Sequence, residues 1–412
     1  VSITTRRLLY LALVSAVLVV ILGLNSHPGT ALRDLANVLR LHFGVDSTRY
    51  MDQAWADFHA GTPLYANLGA ADHLKFIYPP SSLLAYSLAT LVHLHPAVFI
   101  QYLGLFSYLA TLILAGEIFL LKLPNPRLAA ETVRIRLLIA LLGLLFFPLL
   151  SGLQVGQIQT FLTFLWTLAI YLWIRQKPAL SGLCLALTCT FKPMLAVFLL
   201  WAALRRQWRF FLAFATGAIL IQTVAIALFG WRNEIDYLAA LSFISHHGEA
   251  AASNQSVNGL LQSLTRNASM FRWSDSLYPP YNPIVYYGTL VSTTALLAFG
   301  LFAPALRRAP DRTVDFIVFG LLATIAAPIV WSHHYGYFFA AFVYLLPRIP
   351  PGRRDRFYAF LTCYAILVMN GVPWAFVTPP WTLLNGTVLY AGLGLIILIV
   401  SQASDAARPS TS

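Results

Sequence analysis

The chain has 412 residues, of which 58% are apolar and 10% charged, with mean hydropathy +0.71 and a formal net charge of +12. Soluble proteins are roughly a quarter charged, so a water-soluble domain is excluded, and recurrent apolar runs of about 15–25 residues mark an all-α, polytopic membrane protein. The positive charge excludes little by itself. It argues for nucleic acid in a soluble protein, but here the basic residues flank apolar runs, as membrane topology requires, and no nucleic-acid partner is expected.

In chain order, the segments able to span are 8–24, 98–121, 137–150, 157–174, 179–191, 193–204, 210–229, 284–304, 314–330, 336–347, 357–372 and 383–400. They predict about twelve transmembrane helices in one membrane domain, several of them shorter than the ~20 residues an untilted span needs. The first run follows Arg6 and Arg7 and reads as an uncleaved anchor. Segment 81–95, after Tyr78-Pro79-Pro80, reads as re-entrant or interfacial. Counting it as a span, and fusing 179–204, would put Lys122, Arg127, Arg134 and Arg136 on the outer side, against the positive-inside bias. Both termini are then cytoplasmic, with 401–412 a short polar tail.

Two long loops, 25–80 and 230–283, fall on the opposite, outer side, together with the turn Trp331-Ser332-His333-His334-Tyr335. Few cations are expected there: Arg33, Arg40, Arg49, Lys75, Lys192, Arg232, Arg266 and Arg272. The first loop carries Asp34, Asp46, Asp52, Asp57 and Asp72 of the chain's 15 acids. A transporter keeps its key acids near the bilayer midplane; an enzyme acting on a lipid-linked substrate needs them at the water–lipid boundary. There is no GxxxxGK[ST] run, so any energy source arrives with a substrate.

Asp46 follows Gly44-Val45 and opens a predicted short helix, 47–60, ended by Gly61 and Pro63. A carboxylate at that position serves either as a helix cap or as a base. Tyr78-Pro79-Pro80 predicts a rigid turn back to the membrane. Gln157, with Gln154 and Gly156, offers amides that bond a sugar or cap a helix end. Lys192, in Phe191-Lys192-Pro193, either snorkels or meets an anion such as a lipid phosphate. His333 and His334 are candidates for an anion ligand or proton carrier; their spacing does not suit a metal. Asn254 and Gln255, in Asn254-Gln255-Ser256, suit hydroxyl recognition or a plain loop. Cys184, Cys189 and Cys363 lie in apolar segments and read as core residues rather than a disulfide frame or metal site.

Gly44-Val45-Asp46 with Tyr50, Gly61-Thr62-Pro63-Leu64-Tyr65, Phe76-Ile77-Tyr78-Pro79-Pro80, Gly156-Gln157, Lys192-Pro193, Asn254-Gln255-Ser256 and Ser332-His333-His334 occur in this order. As an ordered set they resemble the polytopic GT-C glycosyltransferases. Within these they resemble glycosyltransferase family 87, which includes the polyprenol-phosphate-mannose-dependent α-1,2-mannosyltransferases of actinobacterial lipid synthesis. The resemblance implies an inverting hexosyl transfer, of mannose by expectation, from a polyprenyl-phosphate sugar to a lipid or glycan acceptor, at the outer face of a bacterial plasma membrane. It implies an aspartate base in the first outer loop, matched by Asp46, and an outer-face histidine, matched by His333 or His334. One departure is that Ser47 and Thr48 stand where the family has an aromatic after the aspartate. Lys192, with Arg49 and Lys75 in reserve, would hold the donor phosphate, and Tyr78, Gln157, Asn254 and Gln255 the sugar or acceptor. The donor's single phosphate is already a leaving group, so neither metal nor other cofactor is expected. Two other readings stay open: a flippase of lipid-linked glycans, and a polyprenyl-linked glycan ligase or polymerase.

Overall fold

The computed structural model describes residues 3–24, 31–123, 129–271, 273–303, 311–370 and 381–406. Arg127, Arg272, Arg307, Arg308, Arg408 and the tail beyond 406 lie outside the described residues. The order is α1 (Ile3–Leu24), α2 (Ala31–Leu39), α3 (Asp46–His59), α4 (Leu84–Leu91), α5 (Pro96–Leu121), α6 (Ala129–Leu144), α7 (Phe147–Gln154), α8 (Gln159–Ile174) and α9 (Pro178–Cys189). There follow α10 (Phe198–Leu204), α11 (Trp208–Phe229), α12 (Trp231–His247), α13 (Val257–Thr265), α14 (Pro283–Phe302), α15 (Arg312–Ile325), α16 (Tyr337–Leu345), α17 (Arg354–Val368) and α18 (Thr387–Ala406). Among the described residues there is no strand; extended pairing is limited to an isolated bridge between Asn254 and Trp331.

Each predicted apolar segment holds helix, but among the described residues 4 helices qualify as spans by length and apolarity: α5, α11, α14 and α18 with its preceding turn. A fifth arises if α6 and α7, bent by 63°, form one broken span. Of the other predicted crossings, α1 is 22 residues long and the rest are shorter helices. Proline accounts for part of this, because it cannot donate a helix hydrogen bond and clashes with the preceding turn. Pro148 stands in the first turn of α7, Pro193 opens a 3-10 turn, Pro193–Val197, before α10, and Pro80 opens another, Pro80–Leu83, before α4. At 1.5 Å per residue, α4 is about 12 Å long, too short to cross a core of about 30 Å. The tail predicted from Ser401 is helical as far as Ala406.

The helices pack around aromatic side chains. Phe316 of α15 stacks between Trp166 and Trp173 of α8, with ring centroids 5.5 and 4.8 Å away and near-parallel planes; Phe198, Trp201 and Phe210 close around them. Such pairs add about 0.5–1.5 kcal/mol each beyond area burial. Basic helix ends gather on their acids and on carbonyls: Arg205 on Asp315 at 2.7 Å, Arg348 on Asp311 at 2.8 Å, and Arg7 on the carbonyl of Ile349 at 2.6 Å. Apolar side chains on α11 and α14, among them Leu212, Ile219, Val224, Ile284 and Val291, face outward. These are surfaces for a lipid solvent, and the protein is membrane-embedded.

Candidate active site

A cavity of ≈ 650 Å³ draws its walls from both long loops and from five helices or turns. Asp46, Tyr50, Lys75, Tyr78, Gln157, Lys192, His333 and His334 all line it. Most of the remaining wall is apolar, including Leu241, Ile244, Leu297, Ala323 and Ile329.

Asp46 reaches the cavity through an unusually close backbone approach. Gly44 N–H donates to the Gln154 carbonyl at 2.7 Å and Asp46 N–H to the Val155 carbonyl at 2.9 Å. A Cβ at Gly44 would lie 2.6 Å from the Val155 oxygen, and one at Gly156 would lie 2.0 Å from the Gly44 oxygen. Gly156 also has φ +72°, a conformation disfavoured for L side chains. Only glycine at both positions lets the two turns meet. Helix α3 then starts at Asp46, one residue before its predicted start, with Val45 as its N-cap and no side-chain cap. Of the two roles the sequence allowed, capping is therefore not performed by the carboxylate. Asp46 instead accepts a short hydrogen bond from Gln157 Nε2.

Ser47, the departure from the family pattern, is buried and locks this corner. Its Oγ accepts from Ile158 N–H at 2.9 Å, lies 3.0 Å from Tyr78 OH, and donates to Gln157 Oε1 at 3.0 Å. Gln157 is thus held at its oxygen while its nitrogen serves Asp46. Burial raises the carboxyl of Asp46 above the ordinary aspartate range; Gln157 and then Lys192 pull it partly back.

Lys192 sits at the break between α9 and the 3-10 turn that follows. Its Nζ donates to Gln159 Oε1 at 3.1 Å and lies 2.6 Å from His334 Nε2. With the ammonium donating, His334 carries its proton on Nδ1, which is buried and has no partner. His333 Nε2 is likewise buried without a partner. Burial pushes Lys192 well below the ordinary lysine range, with Asp46 opposing, and drives both histidines toward the neutral form, with Lys192 adding to the effect. A phosphate against this wall would favour the charged ammonium and give the unpartnered Nδ1–H of His334 an acceptor.

Lys75 is on the cavity but is not a free cation. Its Nζ donates to Glu249 Oε2 at 2.7 Å and lies 4.5 Å from the Trp273 ring centre and 4.4 Å from that of Tyr278. Both members of the ion pair are buried. Arg49 does not line the cavity; it pairs with Asp275 at 2.6 Å. Asp275 also accepts from Tyr50 OH at 3.3 Å and Trp273 Nε1 at 2.6 Å. This junction ties the second loop to α3 and places Arg49 on Asp275, off the cavity wall.

Asn254 and Gln255 do not line the cavity either. Asn254 donates to the carbonyls of Glu249 and Pro328 at 2.8 and 3.2 Å and accepts from Val330 N–H at 2.9 Å. Gln255 donates to the Ala252 carbonyl at 2.7 Å. Asn254 thus fastens the second loop to the segment before His333, off the cavity wall, and Gln255 Oε1 is buried with no partner. Sequence reasoning missed Gln159, Glu249, Trp273 and Tyr278. One signal was present: Tyr78-Pro79-Pro80 recurs as Tyr278-Pro279-Pro280, and both tyrosines line this cavity. Among the described residues, no group of three or more His, Cys, Asp and Glu is arranged to hold a metal ion.

A family model, glycosyltransferase family 87, matches residues 76–328. This stretch includes Tyr78, Gln157 and Lys192, begins after Asp46 and ends before His333. The chain is 27% identical over 350 residues to a polyprenol-phosphate-mannose-dependent alpha-(1-2)-phosphatidylinositol mannoside mannosyltransferase of Mycobacterium tuberculosis, covering 80% of this chain and 75% of that protein. It is 27% identical over 321 residues to a protein of the same description from Mycolicibacterium smegmatis, covering 71% of this chain and 66% of that one. No solved structure matches significantly.

Proposed function

The chain belongs to glycosyltransferase family 87, and from that premise we propose that it moves a hexose, mannose by preference, from a polyprenyl phosphate to an acceptor hydroxyl on the outer side of the membrane. The observation that carries the reading is the meeting of a half-buried carboxylate, a half-buried lysine and two imidazoles with unpartnered buried nitrogens on one largely apolar cavity. The apolar wall suits an isoprenoid chain, and the cationic corner suits its phosphate. The curated relatives carry the same donor in their descriptions.

In this reading Asp46 takes the proton of the acceptor hydroxyl as its oxygen bonds to the anomeric carbon. The bond from that carbon to the phosphate oxygen breaks on the opposite face, so configuration inverts and polyprenyl phosphate departs with the electron pair. General-base help of this kind is worth roughly 10²–10⁴-fold. Lys192, with N–H groups from His333 and His334, stabilises the charge growing on the phosphate. Gln157 aims Asp46, and Gln159 aims Lys192. Tyr78 acts through Ser47 and Gln157, which hold that alignment.

The test uses the purified chain with polyprenyl-phosphate sugars, supplied one at a time with a mannosylated lipid acceptor and a chelator present, and product read by mass spectrometry. Transfer dependent on Asp46 is expected from the mannosyl donor. Transfer by Asp46→Asn at the wild-type rate would remove Asp46 from the base role. Movement of labelled lipid across liposomes with no glycosidic product would instead favour the flippase reading.

A further inference from the structure

The cavity has a second polar region, formed by Lys75, Glu249, Trp273 and Tyr278, that the chemistry above does not use. Its charges are internally cancelled. The Lys75 ammonium bonds Glu249 at 2.7 Å and rests against two aromatic rings, so it has little left to offer a phosphate. Glu249 is held by that ammonium and the nearby Asp275 by Arg49 at 2.6 Å, so neither ion pair leaves a charge to attract one. Yet the region is not simply packed shut. Glu249, Trp273 and Tyr278 line the cavity, Trp273 is 44% exposed, and the Tyr278 hydroxyl is buried with no partner. Trp331 stands edge-on to Trp273, with centroids 4.8 Å apart, and lines the same space. Asp275 holds the Trp273 indole N–H at 2.6 Å, which sets the ring in place.

We propose that this region is the acceptor subsite and that it takes an uncharged terminal sugar ring. A pyranose presents one face of C–H groups, which pack on aromatic rings, and a rim of hydroxyls that both donate and accept. The exposed Trp273 indole and the half-buried Trp331 supply the platform. The Glu249 carboxylate and the unpartnered Tyr278 hydroxyl supply hydrogen bonds. The cancelled charge selects against an acceptor that is phosphorylated on the reacting sugar, because an anion there meets two carboxylates already paired with Lys75 and Arg49 and, among the described residues, no free cation. This assignment rests on the transferase reading above and adds to it which end of the cavity holds the acceptor and what that end rejects.

Two readouts separate this inference from the base assignment. Binding of octyl α-D-mannopyranoside and of its 6-phosphate is measured on the full-length Asp46→Asn chain in detergent, where turnover is not needed. Transfer kinetics are measured on the otherwise wild-type chain with polyprenyl-phosphate mannose. Trp273→Ala should weaken octyl mannoside binding, and raise the acceptor KM, by about tenfold or more, with the donor KM unchanged. Tyr278→Phe removes a single hydroxyl and keeps the ring, so it stays readable if the larger truncation misfolds; a loss of about three- to tenfold is expected. The neutral glycoside should bind at least about tenfold tighter than its phosphate. Tyr278→Phe and Trp273→Ala proteins that leave acceptor binding intact but raise the donor KM would overturn the assignment, as would equal binding of the two glycosides. Inactivity of Asp46→Asn with normal glycoside binding bears on the base alone.

Discussion

Replacing Gln157 by leucine tests how Asp46 is prepared for its proposed work. Leucine keeps most of the volume and removes the amide. Three contacts vanish together: the short bond to Asp46, the 3.0 Å bond from Ser47 Oγ, and the 3.5 Å contact with Tyr78 OH. A hydrogen bond to an ionised group is worth about 1.5–3 kcal/mol. The bond favours the carboxylate form, whereas burial favours the acid. Without the amide, burial and Asp275 still favour the acid, opposed only by Lys192 and Arg49. Asp46 should then hold its proton more tightly. A base must be unprotonated to act, so on the acid limb of the pH–kcat/KM profile transfer should fall by roughly ten- to a hundredfold. At high pH, where Asp46 is ionised in both proteins, the rates should converge to within about tenfold. The assay is transfer from polyprenyl-phosphate mannose across pH 5 to 9, with thermal melting confirming that the variant is folded. An acid limb that stays in place while the plateau collapses would refute the reasoning, because the amide would then be acting on geometry and not on the charge of Asp46.

Lys192→Met should raise the donor KM and lower kcat, together by about 10²–10³-fold. Lys192→Arg should not rescue it, since the ammonium already has neighbours at 2.6 and 3.1 Å and a guanidinium is larger; steady-state kinetics on both variants decide this. Gly156→Ala should destabilise the protein by about 1–3 kcal/mol from its positive φ alone, and should reduce activity further because its Cβ would fall 2.0 Å from the Gly44 oxygen; melting and activity at low temperature separate the two effects. Glu249→Gln should destabilise by about 3–5 kcal/mol by leaving the buried Lys75 unpaired, and the double change Lys75→Met with Glu249→Leu should recover most of that loss, as read by melting in detergent.

Helix content and the short helix over 46–59 follow from local chemistry: long apolar runs, and a run from Asp46 to a stop at Gly61 and Pro63. That the segment after Pro80 would not form a long helix followed from the prolines, and α4 is 8 residues long. Those signals are carried by neighbouring residues and survive without a fold. Length was the weaker guide, because a residue such as Pro148 or Pro193 breaks a hydrophobic run into pieces that hydropathy alone still counts as spans.

What each polar side chain does was decided only by tertiary structure. Asp46 and Gln157 are 111 residues apart, Lys192 and His334 are 142 apart, and Lys75 and Glu249 are 174 apart. Sequence marked Lys75 and Lys192 alike, as cations in a membrane protein's outer region; the fold pairs one with a carboxylate and leaves the other beside a neutral imidazole. Asn254 looked as suited to a sugar as Gln157 did, until three backbone partners consumed its amide. A side chain's chemistry is set by what remains unsatisfied after packing, and that remainder is a property of contacts between distant segments, not of any residue's own neighbourhood in the chain.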